Sequence, residues 1–123
     1  MNPARFKVFG KGRKKRRGTM NKLEAAFAQV LQLDQHHGVI HWWAFESMKF
    51  KLGEGAWFTP DFVTLQADGE IRFYETKGFM REAANVRLKT VSHNYPFRFF
   101  LVKHLRGTWQ ITEVGECESE PEV

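Results

Sequence analysis

The stretch Pro60-Asp61-Phe62-Val63-Thr64-Leu65-Gln66-Ala67-Asp68-Gly69-Glu70-Ile71-Arg72-Phe73-Tyr74-Glu75-Thr76-Lys77 decides the fold. Asp68-Gly69 is a turn signal between two runs rich in β-branched and aromatic residues, and it predicts a hairpin. Side chains alternate along a strand, so Ile71, Phe73, Glu75 and Lys77 share one face while Thr76 points to the other. The hairpin sets Asp61 and Glu75 on neighbouring strands. Two carboxylates placed in this way offer oxygen ligands to a hard divalent cation such as Mg²⁺ beside a phosphodiester. Lys77, about 7 Å along the strand from Glu75, is placed to orient an attacking water or to steady negative charge developing on a phosphate. The plainer alternative is a surface ion pair, against which stands the apolar company that Glu75 and Lys77 keep on their face.

Outward from this hairpin, the chain alternates between two kinds of periodicity. Asn21-Lys22-Leu23-Glu24 has the form of a helix N-cap with a glutamate at the third helical position. Leu23, Phe27, Val30 and Leu31 follow at helical spacing, with an end expected near His37-Gly38. Val39 to Phe45 is aromatic and β-branched, and Met48, Phe50 and Leu52 alternate with Lys49 and Lys51, so both runs predict strands. Gly53 and Gly55 break the second run, and Trp57 to Leu65 reads as another strand interrupted early by Pro60. Beyond Gly78, Ala84, Leu88 and Val91 predict a helix over Arg81 to His93, which Pro96 stops. Phe97 to His104 has the density of a buried strand, Arg106-Gly107-Thr108 is a turn, and Trp109 to Val114 is a last, edge strand. This order predicts an α/β fold with a mixed central sheet flanked by helices.

Composition sets the outer limits. With 123 residues, 42% of them hydrophobic, and with twelve Phe and four Trp, the chain has material for one domain and one core. Cys117 is the single cysteine, which excludes an internal disulfide and a thiolate metal cluster. His36, His37, His41, His93 and His104 show no zinc-type spacing and are expected to be structural or exposed. No apolar run has the length of a signal peptide or a membrane span, so a soluble, cytoplasmic protein is expected. Trp42 and Trp43 are adjacent and must face opposite sides of the sheet, one of them towards the core.

The net charge of +5 conceals three regions: residues 1–22 carry nine Lys or Arg and no acid, the body to residue 112 is nearly balanced, and residues 113–123 carry five Glu and no base. The chain accordingly divides into a flexible basic arm (1–18), a single domain (19–114) and an acidic tail (115–123). Lys11, Arg13, Lys14, Lys15, Arg16 and Arg17 are the arm's candidates for nucleic-acid contact, and Lys89 on the second helix is a further one. Full engagement of the arm's nine basic groups would give a slope of log affinity on log salt near −8, at about −0.9 per phosphate. A solubility tail or a nuclear-import-like signal is the plainer alternative.

Pro60-Asp61 and Glu75-Thr76-Lys77, joined by the Asp68-Gly69 hairpin, resemble the signature of the PD-(D/E)xK nuclease superfamily. Within it, the chain is similar to small phage endonucleases of the endonuclease I, Holliday-junction resolvase type, over roughly residues 19–105. The resemblance implies a restriction-endonuclease-like fold and Mg²⁺-dependent hydrolysis of DNA, with Mn²⁺ able to substitute. It also implies branched DNA as substrate, a homodimer with two active sites, and the host cytoplasm as location if the chain is phage-encoded. It implies Glu24, Asp61 and Glu75 as metal ligands, directly or through water, with the backbone carbonyl of Thr76 as a further one and Lys77 as the catalytic lysine. Glu24 has a second explanation as half of a capping box with Asn21. Glu46, at the end of the aromatic strand, competes with it for the third carboxylate, although a solvent-facing strand-end charge is the commoner role. Two other functions stay open at this level: a nicking or degradative nuclease of the same fold, and a nucleic-acid-binding module without catalysis.

Overall fold

Phe62-Val63, Phe73-Tyr74 and Phe99-Phe100 are adjacent pairs in which every member is buried. Neighbours on a strand point to opposite faces, so a sheet holding such pairs must be covered on both sides. The computed structural model, which describes residues 18–78 and 82–115, shows how. Its elements in chain order are α1 (Lys22–His36), β1 (Ile40–Phe45), β2 (Phe50–Gly53), β3 (Ala56–Phe58), β4 (Phe62–Gln66), β5 (Ile71–Thr76), α2 (Glu82–Asn94), β6 (Arg98–Leu105) and β7 (Thr108–Glu113). Five strands form one mixed sheet in the order β1-β4-β5-β6-β7, and β2 with β3 forms a separate two-stranded ribbon. Only β5 and β6 run parallel, and α2 makes the crossover between them. The expected α/β architecture, a mixed sheet with helices, is therefore present.

Each face has its own core. On the α1 side, Phe27 and Leu31 pack with Ile40, Phe62, Tyr74, Phe100 and Val102. Phe27 is the hub, its ring 5.4 Å from Phe62, 5.6 Å from Tyr74 and 5.3 Å from Trp109. On the other side Leu88 and Val91 of α2 pack with Val63, Phe73, Phe99 and the ribbon residues Phe50 and Phe58. Of the helical positions read from the sequence, Phe27, Leu31, Leu88 and Val91 lie in these cores and Val30 packs against the first.

Local chemistry sets the element ends. Asn21 caps α1 in a full capping box with Glu24. Asp68-Gly69 closes the β4–β5 hairpin with Gly69 at φ +93° and its N–H on the Gln66 carbonyl at 2.8 Å, a conformation open to glycine at little cost. Arg106 and Gly107 both have positive φ, and they join β6 to β7 in a tight two-residue turn of the hairpin-compatible kind.

Two expectations are corrected. Trp57 to Leu65 is not one strand: Phe58 pairs with Phe50 in the ribbon, whereas Phe62 pairs with Phe45 and Tyr74 in the main sheet. Pro60 stands at the corner between them, having no N–H for a ladder. Simple alternation also fails in β1, where a register shift between Ile40 and Trp42 lets Ile40 and Trp43, three residues apart, both reach the α1 core. Trp42 is left exposed, so one tryptophan of the pair packs inward, as the sequence implies. No helix among the described residues is long and apolar enough to cross a membrane.

Candidate active site

Asp61 is the residue at which three segments meet. Its backbone carbonyl accepts from Glu46 N–H at 2.8 Å, and its own N–H donates to Glu75 Oε1 at 3.1 Å. Its carboxylate Oδ2 accepts from the Thr76 N–H at 2.9 Å and from the Thr76 hydroxyl at 2.8 Å. The β4–β5 ladder ends at Phe62 and Tyr74. Beyond it, the Asp61 carboxylate takes the place of a backbone partner for β5, which holds an acidic group at the end of the sheet with little rotational freedom.

Glu75 and Lys77 lie where alternation puts them. Lys77 Nζ is 3.5 Å from Glu75 Oε2, and the Lys77 N–H donates to the Val102 carbonyl at 3.0 Å, which holds the start of the loop after β5 against β6. Asp61 and Thr76 are buried, and the Glu75 side chain is only 12% exposed.

Burial shows in the acidities. Loss of water is the largest influence on Asp61, whose pKa rises to about 6 although Thr76 opposes the shift; the charge of Glu24 adds to the rise. Glu75 is pushed up to about 8, again first by burial and then by the charge of Asp61, with Lys77 opposing. Desolvation and like charge both disfavour the ionised form of a carboxylate. One ammonium therefore does not satisfy this cluster of acids.

Glu24 forms the capping box with Asn21 and also lies close to Asp61. Its Oε1 accepts from the Asn21 N–H at 2.9 Å, its own N–H donates to Asn21 Oδ1 at 2.7 Å, and at 4% exposure it is nonetheless near enough for its charge to act on Asp61. Glu46 is not the solvent-facing charge expected of it. It is half-buried at φ +49°, and its Oε1 accepts from the Gly18 N–H at 3.1 Å. Glu46, whose own N–H bonds the Asp61 carbonyl, thereby links Gly18 to Asp61.

The sequence assigned Thr76 a backbone carbonyl role and turned its side chain away. By strand parity the side chain does leave the Glu75 face, but its hydroxyl is what holds Asp61. The register offers the signal: with Phe62 level with Tyr74, a residue just before Phe62 comes within reach of one just after Glu75. Lys89 is not brought to this site. It lines a cavity of about 380 Å³ with Ser92, His93 and Gly115. Lys11, Arg13, Lys14, Lys15, Arg16 and Arg17, and the tail from residue 116, lie outside the described residues.

Among the described residues, no group of three His, Cys, Asp or Glu side chains is already drawn together as a metal cage. The Asp61 backbone N–H holds the Glu75 carboxylate, and the charge of Glu24 acts on Asp61. Oxygen donors with an excess of negative charge in a dry setting suit a hard divalent cation. Comparison with protein-family models, with curated proteins and with solved structures finds no match to this chain.

Proposed function

We propose that the chain is a Mg²⁺-dependent DNA endonuclease with a restriction-endonuclease-like fold of the PD-(D/E)xK kind, selective for branched DNA. The observation that carries this reading is the buried Asp61–Glu75 pair with Lys77 beside it, both acids held above their ordinary pKa by desolvation. Such a pair gains most from a cation, because a divalent charge offsets the repulsion and the lost hydration together.

Asp61 and Glu75 would hold the ion, with Glu24 and the Thr76 carbonyl as further oxygen donors. When bound, the ion supplies Lewis-acid charge beside the scissile phosphodiester. Thr76 fixes the Asp61 carboxylate through its hydroxyl and N–H, so that the ligand is oriented before the ion arrives. Lys77, beside Glu75, would position the attacking water or stabilise charge growing on the phosphate. The arm residues Lys11, Arg13, Lys14, Lys15, Arg16 and Arg17, attached through Gly18 beside the site, would contact phosphates and supply salt-sensitive affinity. Lys89 would add a phosphate contact from α2. A resolvase cuts two strands symmetrically, which calls for a homodimer.

The test is cleavage of a four-way junction, a flap, a duplex and single strands, with and without Mg²⁺ or Mn²⁺. Junction cutting that requires the metal and is lost in Lys77→Ala and Asp61→Ala, with folding retained, is the expected result. Preference for duplex or single strands would point to a degradative or nicking enzyme, and salt-sensitive binding without cutting to a non-catalytic module. Undiminished cutting by the two variants would remove the assigned site. Light scattering on the junction complex checks the dimer.

A further inference from the structure

The β2–β3 ribbon stands apart from the main sheet and has two unlike faces. Phe50 and Phe58 form one cross-strand pair, and both are buried against Phe73, Phe99 and α2. The next pair along is Lys51 with Trp57, which alternation turns to the opposite, outer side. Lys49, two residues before Lys51, joins them there, its Nζ 4.6 Å from the centre of the Trp57 ring. Trp57 is 48% exposed in this setting. The core does not account for it: the ribbon is already anchored by its phenylalanines.

We infer that this outer face, made by Trp57, Lys49 and Lys51, is a binding site for an unpaired DNA strand, with a base stacked on the indole and the two ammonium groups on flanking phosphates. Three observations carry the inference. An exposed indole between two lysines pairs a stacking platform with backbone charge, the combination by which proteins hold single strands. Lys51 pairs with Glu54 at 3.7 Å, the Glu54 side chain being 97% exposed, and so open an ion pair gives way to a phosphate at little cost. The ribbon also leads directly into the candidate site. Asp61 follows Trp57 with three residues between them, a chain length of at most about 14 Å, so a base on the indole lies within a few nucleotides of a phosphodiester at Asp61 and Glu75.

Stacking needs a base whose face is free, and a paired, stacked base in a duplex offers only its edges and its phosphates. The surface thus selects strands that are open, as they are at flaps, gaps and single-stranded ends. It deepens the nuclease reading and rests on it for the position of the cut, but not for the binding itself.

The experiment measures binding of a fluorescent single-stranded oligonucleotide in the presence of a chelator, so that no cutting occurs. Trp57→Ala is expected to weaken single-strand binding by about 5- to 150-fold, the range of one base–aromatic stack, with duplex binding little changed. Lys49→Gln and Lys51→Gln should each lower the salt slope by about 0.7. In the folded wild-type chain, the oligonucleotide should quench a tryptophan signal that is missing from Trp57→Phe, a readout that a purely structural role would not move. An unchanged affinity in a folded Trp57→Ala chain, or a quench that persists in full in Trp57→Phe, overturns the inference. A chain that binds through Trp57 yet cuts nothing keeps this surface and removes the nuclease assignment.

Discussion

Thr76 is joined to Asp61 twice, its N–H and its hydroxyl converging on the same carboxylate oxygen at 2.9 and 2.8 Å. Both groups are buried, so the hydroxyl bond acts in a setting where water cannot replace it. Thr76→Val keeps the shape and the backbone bond and removes only the hydroxyl. Cation affinity measured by calorimetry should fall about 10- to 100-fold, the usual effect of losing a group that orients a ligand. Thr76→Ser should restore most of it.

The raised acidities of Asp61 and Glu75 imply a stability profile. Protons bind the folded chain more tightly than the unfolded one, so these two groups favour folding fully only below their ordinary values of 3.8 and 4.5. That contribution is lost as pH rises through about 6 for Asp61 and about 8 for Glu75. The melting temperature of the cation-free chain should therefore decline across this window. Glu75→Gln should remove the upper part of the decline, and added Mg²⁺ should raise the wild-type curve most at its alkaline end. A wild-type profile that matches Glu75→Gln would show that burial does not govern this pair.

Glu24 can be split into its two roles by one substitution. Glutamine serves in a capping box as well as glutamate does, because its carbonyl can accept from the Asn21 N–H. Glu24→Gln should keep the cap and the fold and still reduce cation affinity at least about tenfold. Equal cation affinity in the two proteins would confine Glu24 to the cap.

Gly115 marks the point where the chain leaves β7 beside α2. It adopts φ +80°, and a Cβ there would stand 2.7 Å from the Ser92 hydroxyl oxygen. Gly115→Ala should cost about 1–2 kcal/mol for the left-handed backbone alone, with the contact adding to it, as read by denaturant unfolding. Combining it with Ser92→Ala should recover the part due to the contact and leave the backbone part.

Much of this molecule is local, and what is local was legible. The capping box at Asn21 and Glu24, the turn at Asp68-Gly69 and the shared face of Glu75 and Lys77 follow from neighbours a few residues apart. Apolar spacing likewise announced the helices and the mixed α/β arrangement, because periodicity reports which side of an element is buried. The structure alone could split Trp57 to Leu65 between two sheets at Pro60, shift the register of β1, seat Glu46 under Gly18 and turn the Thr76 hydroxyl onto Asp61. Each of these depends on partners fourteen or more residues away in sequence or on which strand a segment chooses to pair with. Such choices are set by packing summed over the whole core, which no short stretch of chain contains.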